Sequence, residues 1–212
     1  MLVLNRDKAR IFRITHIDNL RWAILNGLHC KNSPSQDPDY RGIGNPDIIS
    51  KRAGHSIPID PGGTLHDYIP FYFTPFSPML YNIKTGYSGL PKIPMEEIVI
   101  LVANLNSLLA GGHTWIFSDR HALLQVAEFH SALEKLDRID WAKLQCKDFR
   151  RDPNDPGGIE RYQAEALIHR FLPIQALSGI VCYGPDQQKK LQLQLEAGAV
   201  QLRVEPRPDW YF

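Results

Sequence analysis

A single carboxylate inside an apolar run constrains this chain more than any other feature. Residues 164–171 are largely apolar and are followed closely by Pro173, but Glu165 stands between two alanines near their start. Such a run predicts a short β-strand, which proline ends because it cannot donate a hydrogen bond to a sheet. A carboxylate among small apolar neighbours is costly to desolvate unless a partner or a ligand uses it. The alternative is a solvent-facing Glu165 on a half-buried sheet, which is the usual position of a glutamate.

The segment that leads into this strand, residues 146–161, is long, basic and rich in turn residues. Loops of this length within a compact domain are usually functional or disordered. Its basic residues are Lys147, Arg150, Arg151 and Arg161. We therefore expect the loop to deliver the chain into the Glu165 strand and to present a substrate there.

The composition excludes several classes of protein. A chain of 212 residues predicts one domain, residues 1–212, with a real core. The formal net charge is only +1, so a nucleic-acid site would have to be a local basic patch. The three cysteines are widely spaced, which predicts neither a disulfide framework nor a zinc motif and suits a reducing cytoplasm. Without a recognisable signal peptide or an apolar run of membrane-spanning length, we expect a cytoplasmic protein with no membrane attachment.

Short strands alternate with short helices along the chain, which predicts one mixed domain of the α+β class. The connections are too short and irregular for a parallel, doubly wound sheet. Asn45 and Ser77 each precede a proline, and we expect each to cap a helix that begins there. Asp18 is expected to cap an earlier helix. Residues 118–133 carry a helical apolar face and are expected to form a further capped helix.

Two other positions can face a ligand. His16 falls at a predicted strand-to-helix turn, where side chains reach ligands, although a structural histidine with satisfied hydrogen bonds is the plain alternative. Lys51 and Arg52 lie on the short helix predicted after Asn45. Adjacent basic residues on such a helix are usually solvated, but they can also face an anionic ligand.

The sequence contains no phosphate-binding glycine loop, dinucleotide fingerprint or paired-cysteine zinc motif. Its histidines and aspartates could be assembled into a metal-dependent nuclease site, but their spacing does not place two ligands on one helix face. A strand histidine, a basic helix and a strand glutamate fit the breaking of a glycosidic bond to a cationic leaving group better. That reaction needs a carboxylate near the ribose, where positive charge develops, and guanidinium groups for a diphosphate.

Several motifs in the same order resemble the DarT family of DNA ADP-ribosyltransferase toxins, from about residue 10 to the C-terminus. They are residues 14–20 (ITHIDNL), 65–73 (LHDYIPFYF), 77–81 (SPMLY), 118–121 (SDRH) and 163–169 (QAEALIH). The resemblance implies a PARP-like ADP-ribosyltransferase fold, in which split central β-sheets are flanked by short helices. It also implies NAD as the ADP-ribose donor, single-stranded DNA as the acceptor, a thymine ring nitrogen as the modified atom, and no metal. The implied partner is a DarG-like macrodomain antitoxin, and the protein is expected to act as a monomer.

The resemblance also implies roles for individual residues. Glu165 matches the catalytic glutamate, and Arg52 matches the arginine that polarises the acceptor base, although Lys51 beside it leaves that alignment open by one residue. The implied NAD-binding residues are Thr15, His16, Asn19, Leu20, Arg52 and Tyr72. The implied DNA-binding residues are Tyr72, Met79, Tyr81, His121, Lys147, Arg150, Arg151 and Arg161.

Single-stranded DNA needs a cationic track and surfaces on which its bases stack. Phe149, Tyr162 and residues 71–76 are candidates for the stacking surface. Three alternatives stay open at this point. They are transfer to another acceptor (guanine, RNA or a protein), a catalytically silent nucleic-acid-binding module on the same fold, and the metal-dependent nuclease.

Overall fold

The computed structural model describes residues 2–212, except for the side chain of Ser88. The strands are β1 (Arg10–His16), β2 (Leu28–His29), β3 (Tyr68–Tyr72), β4 (Ile98–Asn104), β5 (Trp115–Ser118), β6 (Phe129–His130), β7 (Glu165–His169), β8 (Phe171–Leu172), β9 (Gly179–Cys182) and β10 (Val204–Pro206). The α-helices are α1 (Leu20–Asn26), α2 (Pro46–Ala53), α3 (Pro78–Thr85), α4 (Leu105–Ala110), α5 (Trp141–Cys146), α6 (Gly158–Arg161) and α7 (Pro185–Ala197). Short 3₁₀ turns lie between several of them, including Ile17–Asn19, Leu65–Asp67 and Met95–Glu97.

Eight strands form one mixed sheet in the order β10-β9-β4-β1-β3-β7-β5-β6, and β2 pairs with β8 in a separate small sheet. The pairing is antiparallel throughout except between β9 and β10. Residues 98–101 of β4 point alternately to the two faces of the sheet, and all of them are fully buried. Apolar core therefore covers both faces of this strand, which explains its unbroken apolar run.

The large sheet is nearly divided between β1 and β3. These neighbours share one register pair, Phe12 with Tyr72, whereas β1 pairs with β4 along all of its seven residues. The Arg13 guanidinium on β1 reaches across to β3, where its Nη1 donates to the carbonyl oxygen of Pro70 at 2.9 Å. The sheet thus consists of two four-stranded halves, β10-β9-β4-β1 and β3-β7-β5-β6, joined at one row. This is the split mixed sheet with short helices that the resemblance implies.

The caps of two helices confirm the local predictions. The Asn45 side chain accepts hydrogen bonds from the first amides of α2, and Ser77 Oγ accepts from the Leu80 amide of α3. The Asp18 prediction is wrong, because α1 begins only at Leu20 after a 3₁₀ turn. In that turn it is the His16 ring that accepts a hydrogen bond from the Asp18 amide, at 3.1 Å.

The helix expected over residues 118–133 is also wrong. The Asp119 amide donates to the Glu128 carbonyl at 3.1 Å, and the Asp119 carboxylate accepts from the Glu128 amide at 2.9 Å. These two bonds close a loop and bring β6 back against β5. Pairing of β6 with β5, together with the closure of the loop between them, has overridden the local helical pattern.

Candidate active site

Glu165 begins β7 in the middle of the second half-sheet. It lies opposite Tyr72 of β3 on one side and Ser118 of β5 on the other, so the three residues share one face of the sheet. The residue is only 3% exposed. The expectation that something must satisfy this carboxylate is therefore met by its protein partners, and the solvent-facing alternative is wrong.

Two donors hold the Glu165 carboxylate. Oε2 accepts from Nη1 of Arg52 at 2.8 Å, and Oε1 accepts from the backbone amide of Ala122 at 3.2 Å. An ionised carboxylate offers about four acceptor positions, so room is left for a ligand hydroxyl. The arrangement fixes the carboxylate and keeps it available.

Arg52 comes from a helix that buries none of its residues fully, yet its own side chain is only 11% exposed. Its Nη2 is shielded from solvent and has no hydrogen-bond partner within residues 2–212. A buried donor without a partner costs free energy, and such groups are rare outside functional sites. Lys51, in contrast, is exposed. The geometry thus selects Arg52 over Lys51 as the basic residue at Glu165.

A hydrogen bond from the turn that precedes β3 holds α2 in place. Nε2 of His66 donates to the carbonyl oxygen of Ile49 at 2.9 Å. In the same turn the Asp67 carboxylate accepts from the Thr64 amide at 2.9 Å and from its hydroxyl at 3.2 Å. The hydrogen bond from the Thr64 amide has the largest effect on the pKa of Asp67 and outweighs the opposing effect of burial. The pKa of this carboxyl therefore lies below its ordinary value of 3.8.

This turn predicts a pH-dependent stability difference. A carboxyl whose pKa is lower in the folded state stabilises the fold above its unfolded pKa of about 3.9 and loses that contribution as the pH falls through the folded value. We expect Asp67→Asn to lower the free energy of unfolding at about pH 6, and this deficit to shrink by about pH 3.5. Urea denaturation at both pH values measures it. Asp39→Asn, at an exposed aspartate, is the control, and a deficit that does not vary with pH would contradict the prediction.

The corner after β5 supplies the amide that binds Glu165. Ser118 Oγ donates to the Arg120 carbonyl at 2.7 Å and fixes the corner. Nδ1 of His121 accepts from the Leu123 amide at 3.2 Å, so the neutral ring carries its proton on Nε2. Within the described residues that Nε2 has no hydrogen-bond partner. It is therefore free to donate to an acceptor on a ligand.

Tyr72, which lies opposite Glu165 on the neighbouring strand, is in contact with Met79. The Tyr72 hydroxyl contacts Met79 Sδ at 3.8 Å. Burial, and next the negative charge of Glu165, raise the pKa of Tyr72 well above its ordinary value. Tyr72 is thus a neutral phenol at physiological pH, which suits a wall of a pocket better than a proton acceptor.

A second group of predicted ligand residues lies at the far end of β1. The buried His16 ring is 2.9 Å from Glu97 Oε2 and 3.1 Å from an Arg41 nitrogen, both through Nε2. Asn19 donates to Thr15 Oγ1 at 2.9 Å and exchanges two hydrogen bonds with the backbone of Arg41. Thr15 and Asn19 therefore hold the loop that carries Arg41 against β1.

Most of the remaining candidate contact residues are buried in the core, whereas Tyr81 is exposed. Leu20 and Tyr162 are completely buried, as are Phe71 and Phe73. The prediction that Tyr162, Phe71 and Phe73 stack on bases is therefore wrong, because these rings fill the core. Tyr81 is 39% exposed and packs edge-on against the rings of Phe149 and Phe212.

The basic loop divides into paired and unpaired cations. Arg161 donates to Asp155 and to Asp140 at 2.8–3.0 Å, and these bonds raise the pKa of its guanidinium. Lys147 lies 3.8 Å over the Phe76 ring. Arg150 is 89% exposed on its side chain but already pairs with Asp148. Arg151 is exposed and forms no ion pair within residues 2–212.

The comparison with known proteins decides the family. The family model described as "DarT: ssDNA thymidine ADP-ribosyltransferase, DarT" matches residues 12–212. A relative from Escherichia coli O127:H6, named a DNA ADP-ribosyl transferase, is 51% identical over 99% of this chain and 96% of its own. The chain belongs to the DarT family.

Solved DarT structures agree with this assignment over the whole chain. Thermus sp. 2.9 DarT in complex with ADP-ribosylated ssDNA superimposes with a TM-score of 0.90 at 31% identity, covering 100% of this chain and 99% of that one. The same protein in complex with NAD+ gives a TM-score of 0.82 at 33% identity, with 97% and 98% of the two chains covered. The predicted ADP-ribosyltransferase fold of the α+β class is thereby confirmed.

The site of this DarT-family chain also contains groups that sequence reasoning missed. The Ala122 amide carries no side-chain signal, because it is a backbone donor on a segment predicted as helix. Glu97 and Arg41 lie in no motif, although they contact His16. No three His, Cys, Asp or Glu side chains of residues 2–212 are arranged to hold a metal ion. Nor does that range contain a helix both long and apolar enough to cross a bilayer.

The unpaired cation of the loop leads to a prediction about DNA affinity. We expect Arg151→Glu to weaken single-stranded DNA binding more than Arg150→Glu does, because Asp148 already neutralises Arg150. Loss of one phosphate contact should reduce the slope of log affinity against log salt by about 0.7. Fluorescence anisotropy at several salt concentrations measures this, and NAD binding by calorimetry is the control. Equal losses of DNA and NAD affinity would indicate a structural role for the loop instead.

Proposed function

We propose that this protein transfers ADP-ribose from NAD to a thymidine base of single-stranded DNA, with Glu165 and Arg52 as its catalytic residues. The observation that carries the proposal is the buried Arg52–Glu165 pair, in which one guanidinium nitrogen lacks a partner within the described residues. Family membership and the relatives' complexes with NAD+ and ADP-ribosylated ssDNA support the donor and the acceptor.

Glu165 acts on the ribose. As the bond between the ribose C1′ and the nicotinamide nitrogen breaks, positive charge develops on the sugar, and a fixed carboxylate nearby stabilises it. The Arg52 and Ala122 donors hold that carboxylate in place before the reaction begins, so no reorganisation is needed. A ribose hydroxyl occupies one of the remaining acceptor positions of Glu165.

Arg52 acts on the base. A guanidinium cannot serve as a proton acceptor, because it stays protonated in proteins. Its free Nη2 can instead donate to a carbonyl oxygen of thymine and stabilise the anion that forms when the ring N–H is lost. The ring nitrogen then bonds to C1′, nicotinamide leaves as a neutral molecule, and the ring proton passes to water. The reaction is a glycosyl transfer, since the bond that breaks is the glycosidic one.

The other predicted contacts belong to the same proposal. Thr15, His16, Asn19 and Tyr72 line the donor side, and Leu20, which is completely buried, supports them from the core. Met79, Tyr81, His121 and the cations of the 146–161 loop line the acceptor side. Arg161 contributes mainly by fastening the loop, given its two aspartate partners. The remaining proposals rest on the family resemblance. They are a single domain over residues 1–212, a cytoplasmic monomer that acts as a toxin, and control by a DarG-like macrodomain antitoxin.

One experiment tests reaction, donor and acceptor together. The protein is incubated with NAD, a chelator and a mixed pool of single-stranded DNA oligonucleotides, and the products are weighed by mass spectrometry. We expect one added ADP-ribose on oligonucleotides that contain thymidine. Nicotinamide release with unmodified DNA would redirect the search to RNA or protein acceptors. Absence of NAD consumption would favour the silent binding module. Cleavage of the DNA in a parallel reaction without the chelator, and not in its presence, would favour the nuclease.

A further inference from the structure

Two exposed isoleucines lie on α2 beside Arg52. Ile48 and Ile49 are 41% and 38% exposed, and they precede Arg52 by four and three residues. Residues at these spacings lie on the same side of a helix, about one turn apart. Single exposed apolar side chains are common on protein surfaces, so exposure alone assigns no role to either residue. A role for Ile49 follows from the side chains that it meets.

The side chains of Ile49 and Met79 converge at Gly44. A β-carbon placed on Gly44 would lie 3.2 Å from Ile49 Cδ1 and 3.5 Å from Met79 Cε, so both side-chain ends reach the same point. The sulfur of Met79 in turn contacts the Tyr72 hydroxyl at 3.8 Å, and Tyr72 lies opposite Glu165 in the sheet. A largely apolar wall therefore leads from Ile49 through Met79 and Tyr72 to Glu165.

This wall and the buried ion pair border the same position. Arg52 connects α2 to Glu165 at 2.8 Å, and Ile49 lies one turn before Arg52 on that helix. The carbonyl oxygen of Ile49 accepts from His66 Nε2 at 2.9 Å, which holds this turn of the helix in place. A flat ring that accepts a hydrogen bond from Arg52 therefore meets an apolar surface on the side of Ile49.

A thymine ring carries groups that match both surfaces. The ring N–H that reacts lies between two carbonyl groups, at C2 and C4. The neighbour of C4 carries the C5-methyl group, whereas the neighbour of C2 is the nitrogen that bears the deoxyribose. Because the surface beside Arg52 is apolar, it fits the methyl edge of the ring better than the sugar edge. Proteins that read duplex DNA recognise the thymine methyl group through apolar contacts of the same kind.

From these contacts we infer that Ile49, together with Met79, binds the C5-methyl group of the acceptor thymine while Arg52 donates to the C4 carbonyl oxygen. The inference rests on the proposed transfer to thymidine and adds a determinant of base specificity. Uracil has the same two carbonyl groups and the same ring N–H, so hydrogen bonds from Arg52 cannot distinguish it from thymine. A contact with the methyl group can, and Ile49 supplies it.

A competition between two single-stranded oligonucleotides tests the inference. Their sequences are identical, except that one contains a single thymidine where the other contains deoxyuridine. Both are present in one reaction with NAD, and mass spectrometry quantifies the ADP-ribosylated product of each, so the early product ratio is the ratio of the two kcat/KM values. We expect the unmodified protein to prefer thymidine about tenfold, the lower end of the discrimination that one methyl group allows in an apolar pocket.

Two variants show whether Ile49 is responsible for the preference. Ile49→Ala should lower the preference to about twofold or less, because it slows the modification of thymidine and leaves that of deoxyuridine nearly unchanged. Ile48→Ala is the matched control, since it makes the same change at the adjacent exposed position, and it should retain the preference. Each preference is a ratio measured on one protein sample, so a partly unfolded variant would still report it correctly.

The outcomes separate this inference from the proposed function. Equal modification of the two oligonucleotides by the unmodified protein would overturn the inference and leave the transfer reaction intact. An unchanged preference in Ile49→Ala, or an equal loss of preference in Ile48→Ala, would overturn the assignment to Ile49. If neither oligonucleotide is modified, the proposed transfer to thymidine is wrong and the inference falls with it.

Discussion

Glu165→Gln is expected to reduce ADP-ribosyl transfer to single-stranded DNA by about a thousandfold, the loss typical for one preorganised electrostatic group. The substitution keeps the shape of the side chain and one oxygen acceptor but removes the negative charge that faces the ribose. Because that charge matters most in the transition state, NAD affinity should change far less than kcat. Mass spectrometry at saturating NAD measures kcat, and calorimetry measures the affinity for NAD.

The choice of glutamine follows from the buried pair. Glu165→Ala would leave the Arg52 guanidinium buried without a partner, which typically costs about 3 kcal/mol or more of folding free energy. A lost activity in that variant would therefore mix catalysis with folding. Glu160→Gln, five residues earlier, is the matched control and should retain transfer. A Glu165→Gln protein that modifies DNA at a near wild-type rate would remove Glu165 from the mechanism.

Arg52→Gln is expected to lower transfer about a hundredfold, because it removes both the cation beside the base and the free Nη2 donor. The glutamine side chain ends two bonds short of the position of Nη1, so Glu165 keeps only the Ala122 amide as a donor. Circular dichroism and thermal unfolding therefore have to show a folded variant before its rates are compared. Lys51→Gln makes the same change at the adjacent exposed residue and should have no measurable effect. The comparison resolves the one-residue ambiguity that the sequence leaves.

Nicotinamide release in the absence of DNA tests separately whether Arg52 acts on the acceptor and Glu165 on the ribose. Arg52 acts on the acceptor, so slow hydrolysis of NAD by water should survive Arg52→Gln better than transfer does. Glu165 acts on the ribose, so Glu165→Gln should reduce hydrolysis and transfer alike. Equal losses of hydrolysis and transfer in Arg52→Gln would instead place Arg52 on the ribose side of the reaction.

The sequence predicted those parts of the molecule that depend on local chemistry. Asn45 and Ser77 cap helices as expected, since an oxygen before a proline-initiated helix satisfies the first amides wherever the helix lies. The apolar strand around Glu165 was recognisable because one carboxylate breaks an otherwise apolar pattern. The family motifs then indicated the fold, because several separate blocks that resemble the DarT family occur in one order along the chain.

What the sequence could not supply depends on contacts that local sequence patterns do not reveal. Residues 118–133 have a helical apolar pattern, but Asp119 closes a loop on Glu128 and β6 returns to β5. Glu97 is 81 positions from His16 along the chain, and no local pattern joins them. The Ala122 amide contributes only its backbone. Partners of these kinds become visible only when the sheet has assembled around them.

The residues proposed to bind the donor lie on both halves of the large sheet, which a single register pair joins between β1 and β3. His16 and Glu97 belong to the half that contains β1 and β4, whereas Tyr72 and Glu165 belong to the half that contains β3 and β7. On the proposed mechanism, a donor that contacts His16 and Glu165 bridges two halves that share one register pair and the Arg13 hydrogen bond. The modified base remains attached to the same diphosphate after nicotinamide has left. The product of the proposed reaction therefore leaves only after its contacts with both halves have been broken.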